Sequence, residues 1–210
     1  MRELLRPAVL LLVGFLTRSL PLAGQDNTVD LRFLEVGEHG YLTYQNFIYS
    51  RNLAGGKWMF QAGFLRLPQI DYKEYGIGLG YRLAVTREIG WYLFGNFAHG
   101  SDEDYFQPAL LALDVAGKTT GSLFLLHYAP LGSDGIDQWL VDPIEVQYNL
   151  VGRLSLGGSG YFYRPAGGSW FHKIGPKASL SDALGASELA VRKVNQGGGV
   201  EIQLRRIFVF

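Results

Sequence analysis

Glu74-Tyr75-Gly76-Ile77-Gly78-Leu79-Gly80-Tyr81-Arg82-Leu83 is the stretch whose reading decides the fold. Tyr75, Ile77, Leu79, Tyr81 and Leu83 share one parity, and Glu74, three glycines and Arg82 share the other. Side chains of a strand point alternately to opposite faces, so this period of two makes one apolar and one polar face. On a helix the same residues would scatter around the axis. A soluble sheet carries such strands too, so this segment alone leaves a β-sandwich and a membrane barrel both open.

Outward from it the pattern recurs. Trp58, Phe60, Ala62 and Phe64 alternate with Lys57, Met59, Gln61 and Gly63, and Ile144, Val146, Tyr148 and Leu150 alternate with Glu145, Gln147 and Asn149. Leu154 and Leu156 alternate with Ser155 and Gly157, and Val200, Ile202 and Leu204 with Glu201, Gln203 and Arg205. Weaker strands are expected over 29–36, 41–49, 89–98, 108–116, 121–129, 174–180 and 188–194, and in several of them the parity is ambiguous. The sum is about twelve strands, with ten as the alternative; an even number brings both ends of a single-chain barrel to one side. Joins after even strands, at 51–56, 84–87, 117–119, 151–153 and 181–185, are short and suit periplasmic turns. Of the other joins, 99–107 and 130–142 are long enough for outer loops, while 37–40 is not.

Composition agrees with an all-β reading. The chain holds 28 glycines and 14% aromatics, which favour tight turns and strands over helices. After the first segment no run approaches the roughly 18 apolar residues of a membrane helix. A net charge of zero gives no general pull toward nucleic acid or anionic lipid. Residues 1–24 read as a signal peptide: Arg2 and Arg6 precede an apolar run over 8–16, and Pro21-Leu22-Ala23-Gly24 offers small residues for cleavage. Residues 25–210 then form one barrel domain. Without cysteine, neither a disulfide framework nor a lipoprotein anchor is available.

Aromatic placement favours the barrel, with a soluble β-sandwich as the alternative, since aromatics also suit strands that pack a sandwich core. With the orientation above, Trp58, Tyr81, Trp91, Phe208 and Phe210 fall at the periplasmic ends of their strands. Phe64, Tyr75, Phe97, Phe106, Tyr163 and Trp170 fall at the outer ends, giving the two girdles of a membrane barrel. The last eleven residues, from Val200 to Phe210, resemble the C-terminal strand of Gram-negative outer-membrane β-barrel proteins. Phe210, Phe208, Leu204 and Ile202 match that pattern, and Arg206 departs from it, standing where the family has an apolar residue. The segments 148–163 and 81–92 are similar to strand-turn-strand units of small porin-like barrels. The resemblance implies a transmembrane antiparallel up-and-down barrel in the outer membrane, in contact with lipid and lipopolysaccharide, whose last strand is read by the barrel-assembly machinery.

An inward polar parity would line the lumen with Glu74, Arg82, Glu145, Gln147, Asn149, Arg192, Glu201, Gln203 and Arg205, with Gly76, Gly78 and Gly80 leaving room beside them. Around eight strands side chains fill a barrel and at sixteen to eighteen a channel opens, so about twelve lies between these limits. Two readings follow: charges that merely pair across the lumen, as in a closed structural or adhesion barrel, and a narrow wetted path for small hydrophilic solutes. A third alternative is a lipid hydrolase or deacylase, since outer-membrane enzymes of that kind use a His-x-Ser pair, here His99 and Ser101, with Asp114 as partner. The acidic run Asp102-Glu103-Asp104 reads as a solvated loop. No zinc, phosphate-loop or dinucleotide motif is present, so neither a cofactor, a metal nor a nucleic-acid partner is expected.

Overall fold

The computed structural model describes residues 27–36, 45–84, 89–196 and 199–210. The signal-peptide segment 1–24, the join 37–40 and most of the join 84–87 lie outside them. Twelve strands follow one another in antiparallel order: β1 (Asn27–Val36), β2 (Gln45–Leu53), β3 (Trp58–Leu67), β4 (Tyr72–Ala84), β5 (Ile89–Gly100) and β6 (Asp104–Ala116), then β7 (Thr119–Pro130), β8 (Gln138–Val151), β9 (Leu154–Pro165), β10 (Phe171–Asp182), β11 (Gly185–Val194) and β12 (Val200–Val209). Each pairs with its sequence neighbours, and β1 pairs with β12, so the sheet is a closed up-and-down barrel. The ten-strand and sandwich alternatives are thereby excluded. At the seam the Asn27 N–H donates to Phe210 O at 2.8 Å and the Phe210 N–H donates to Asn27 O at 3.0 Å.

The strands sit where the alternation placed them, with displaced ends. β2 runs to Leu53, so Arg51 belongs to the strand and the turn shrinks to residues 54–57. The two long loops also shrink: β5 and β6 leave only 101–103 between them, and β7 and β8 leave 131–137. β8 takes up Asp142 and Pro143 by a register shift between Val141 and Ile144. Proline has no N–H for the ladder, so it is confined to such irregularities and edges. The two-residue turns after β6 and β8 begin on Gly117 and Gly152, at φ +61° and +56°, where a Cβ would be strained.

Tyr75, Ile77, Leu79, Tyr81 and Leu83 are exposed on the outside, as are Ile144, Val146, Tyr148 and Leu150. Large apolar side chains thus cover the outer wall, which in water would be an aggregation surface and in hydrocarbon is the required one. Cross-strand aromatic pairs stand at both rims: Trp58 and Tyr81 at the end of the short turns, with ring centroids 4.8 Å apart, and Phe64–Tyr75 and Phe97–Phe106 at the loop end, at 4.9 and 5.3 Å. Tyr163 leaves the expected girdle, for it pairs with Leu140 and packs against the buried cluster inside the barrel.

Candidate functional site: the barrel interior

The interior has two unlike walls. On β5, β6 and β7 the buried inward side chains are Tyr92, Phe94, Ala98, Tyr105, Ala109, Leu126 and Tyr128, with Met59 and Leu140 beside them and two amides, Asn96 and Gln107, among them. Apart from those amides the three strands are largely apolar on both faces, which is why their parity is ambiguous in the sequence. The room expected beside the β4 glycines is filled from here. A Cβ on Gly78 would lie 1.6 Å from Asn96 Oδ1, and one on Gly80 would lie 2.5 Å from the Phe94 ring.

The opposite wall, on β1 and β8 to β12, is ionic. At mid-height Lys177 Nζ lies 2.6 Å from Glu145 Oε2 and 2.8 Å from Glu188 Oε2, with the lysine side chain only 2% exposed. Arg205 donates to both oxygens of Asp30, at 2.8 and 2.6 Å, and its Nη1 reaches Glu188 at 3.2 Å and Glu145 at 3.4 Å. Nearer the loop end Arg192 donates to Glu201 Oε1, at 2.9 Å from Nε, and Lys173 pairs with the other oxygen of Glu201. Arg32 pairs with Asp142 across the barrel. Burying a charge is tolerable only with such partners, since removing one strands the other.

The residues singled out in the sequence therefore separate into groups. Glu145 and Arg205 meet in the mid-height cluster, where Gln147 Nε2 reaches Glu188 at 3.5 Å. Arg192 and Glu201 form the second cluster, and Gln203 is buried between them and the first. Arg82 lies apart near the turns, its guanidinium 6.0 Å from the Tyr92 ring. Asn149 donates to Gly152 O and braces a turn. Trp58, Tyr81, Trp91 and Phe210 are exposed on the outer wall near the same end, and the Arg206 guanidinium lies 4.8 Å from the Phe208 ring.

Asp30, Arg32, Asp142, Lys173, Lys177 and Glu188 were missed. For Lys173, Lys177 and Glu188 a signal exists: each shares the polar parity of a weak strand. Asp142 falls in the join expected over 130–142, whereas Asp30 and Arg32 carry the same signal, alternating with Val29, Leu31 and Phe33.

Glu74 stands alone among these charges. Its carboxylate, 7% exposed, accepts from Tyr72 Oη at 2.8 Å, Gln107 Nε2 at 3.0 Å and Tyr128 Oη at 3.4 Å. It borders a vestibule of about 650 Å³ at the loop end, lined also by Tyr161, Tyr163, Phe171 and Asp102.

The hydrolase geometry does not form. His99 pairs on the exposed side with Asp104 at 2.6 Å, and Ser101 Oγ is engaged with the Lys73 backbone, accepting from N at 2.9 Å and donating to O at 3.1 Å. Asp114 pairs with Ile89 at the opposite end of β6. Among the described residues no group of three metal-binding side chains occurs.

No protein-family model matches the chain, and no curated protein matches it. Solved structures do. The KdgM porin superposes with a TM-score of 0.65 at 12% identity, over 87% of this chain and 99% of that one. The NanC porin gives 0.59 at 7% identity, over 89% and 99%. An outer-membrane channel from Pseudomonas putida F1 gives 0.52 at 12% identity, over 91% and 97%. The fold is therefore that of bacterial outer-membrane porins, a twelve-stranded antiparallel barrel.

Proposed function

We propose that the barrel is an outer-membrane channel that passes small hydrophilic solutes by passive diffusion. One observation carries the reading: a closed barrel with an apolar outer wall encloses charged and hydrogen-bonding groups and an open vestibule. An apolar exterior with a polar interior suits a protein that spans hydrocarbon and holds water inside. The porin neighbours support the same reading, and one of them was solved with disordered oligogalacturonate. In this arrangement the short turns and both strand termini face the periplasm, the loops face outward, and outer-membrane lipid and lipopolysaccharide contact the outer wall. The signal segment 1–24 serves export, and the strand ending at Phe210 engages the barrel-assembly machinery. The Lys177 cluster occupies one side of the path, so the expected unit conductance is small.

Single-channel recording of refolded protein in planar bilayers tests the proposal. Discrete, voltage-tolerant current steps are expected. A silent bilayer, with insertion verified by heat-modified migration on a gel, rejects the channel in favour of a closed structural barrel.

A further inference from the structure

The vestibule deepens that reading and rests on it. Among the described residues five carboxylate side chains are buried: Glu74, Asp142, Glu145, Glu188 and Glu201. Four of them hold an arginine or lysine in an ion pair. Glu74 holds only neutral donors, two tyrosine hydroxyls and an amide. A buried carboxylate lacking a cation is electrostatically incomplete, and the vestibule opens directly onto it.

The surroundings suit a cation from outside. Tyr72, Tyr128, Tyr161, Tyr163 and Phe171 line the cavity, and ring faces attract ammonium groups. These rings already accept one: Lys173 Nζ lies 4.8 Å from the Tyr161 centroid and 5.8 Å from that of Phe171. That lysine is tied to Glu201 and does not serve Glu74. The rim above carries Asp102 and Glu103 in the join between β5 and β6 and Asp134 in the join between β7 and β8, and Asp102 also lines the cavity. Acidic groups at a concave mouth concentrate cations and repel anions. The cavity is of the size that small-molecule sites occupy, roughly 300 to 1,000 Å³.

We propose that the loop-end vestibule binds small organic cations, amines or quaternary ammonium compounds, with the Glu74 carboxylate as counter-charge and the aromatic rings around it as a cage. A solute of this class pauses there before passing the ionic wall.

Choline is the probe, titrated calorimetrically into the refolded full chain in detergent, with acetate as the anionic control. Choline binds and acetate does not. Glu74→Gln weakens choline binding at least tenfold while circular dichroism and heat-modified migration stay unchanged, and Tyr163→Leu, which removes a ring with its hydroxyl but no formal charge, weakens it severalfold. In bilayers under a potassium chloride gradient the reversal potential has the sign of cation preference and moves toward zero in Glu74→Gln. Current steps without choline binding, or choline affinity indifferent to both substitutions, overturn the site and leave the channel standing. Choline binding in a protein that passes no current overturns the channel and leaves the site. If Glu74→Gln does not refold, Tyr163→Leu decides alone: unchanged affinity overturns the cage.

Discussion

The Arg206 guanidinium meets the Asp182 carboxylate in a two-point pair, with Nη1 2.8 Å from Oδ2 and Nη2 2.8 Å from Oδ1. Arg206 also donates to Ser187 Oγ at 3.0 Å and lies against the Phe208 ring. This residue broke the apolar alternation of the last strand. Asp182 ends β10 at the turn, so the charge is neutralised at the rim, where a long side chain reaches the interface. The pair is bidentate, the geometry that makes an exposed ion pair matter. Asp182→Ala, which leaves the cation without its partner, is expected to lower the urea midpoint in lipid vesicles more than Arg206→Leu, which restores the apolar pattern. The reverse order would show that the pair contributes nothing.

Lys177 holds two carboxylates at once, Glu145 and Glu188. Lys177→Met leaves both buried beside each other with only Arg205 between them. Breaking a buried pair by deleting one partner costs about 3–5 kcal/mol. Unfolding equilibria in vesicles should show a loss of that size, and adding Glu188→Gln should recover part of it. A loss within error of zero would mean that water already screens the cluster.

Gly80 faces the Phe94 ring so closely that a methyl group has no place. Gly80→Ala should destabilise by about 1–3 kcal/mol, the usual cost of overpacking. Phe94→Leu in the same chain should restore part of it. Additive losses in the double variant would contradict the contact.

Tryptophan fluorescence tests the girdles. Trp58 and Trp91 are exposed on the outer wall near the turns, and Trp139 and Trp170 are exposed near the loop end. In vesicles, lipids brominated near the headgroup should quench the emission more than lipids brominated at the chain ends. Equal quenching by both, or strong quenching by aqueous iodide alone, would remove the barrel from the bilayer.

The fold was legible wherever a strand separates an apolar from a polar face. β4, the second half of β8, and β12 do so: the outer wall takes the apolar face, the ionic wall takes the polar face of β8 and β12, and the close approach of Asn96 and Phe94 holds the glycine face of β4. β5, β6 and β7 place Tyr92, Phe94, Ala109 and Leu126 inward and Leu93, Phe97 and Leu110 outward, so no parity stands out. β8 failed differently. The irregularity at Asp142-Pro143 reverses its parity, so the alternation that runs back from Leu150 ends at Ile144 and leaves Asp142 outside it. The site was legible one charge at a time, through Glu74, Glu145 and Arg205. The pairing partners come from strands far apart in sequence: Arg32 finds Asp142 across 110 positions. Local alternation carries no information about which charges will face one another.

The hydrogen bonds between Asn27 and Phe210 have a consequence for biogenesis. Those two residues stand at opposite ends of the twelve strands, and their ladder is what removes the last free edge. Lipid offers nothing to an unpaired backbone edge, so a partly built sheet has no stable place in hydrocarbon. That ladder cannot form until both β1 and β12 are in place. In the proposed membrane setting, closure of the sheet and its entry into hydrocarbon are therefore expected to be coupled rather than successive.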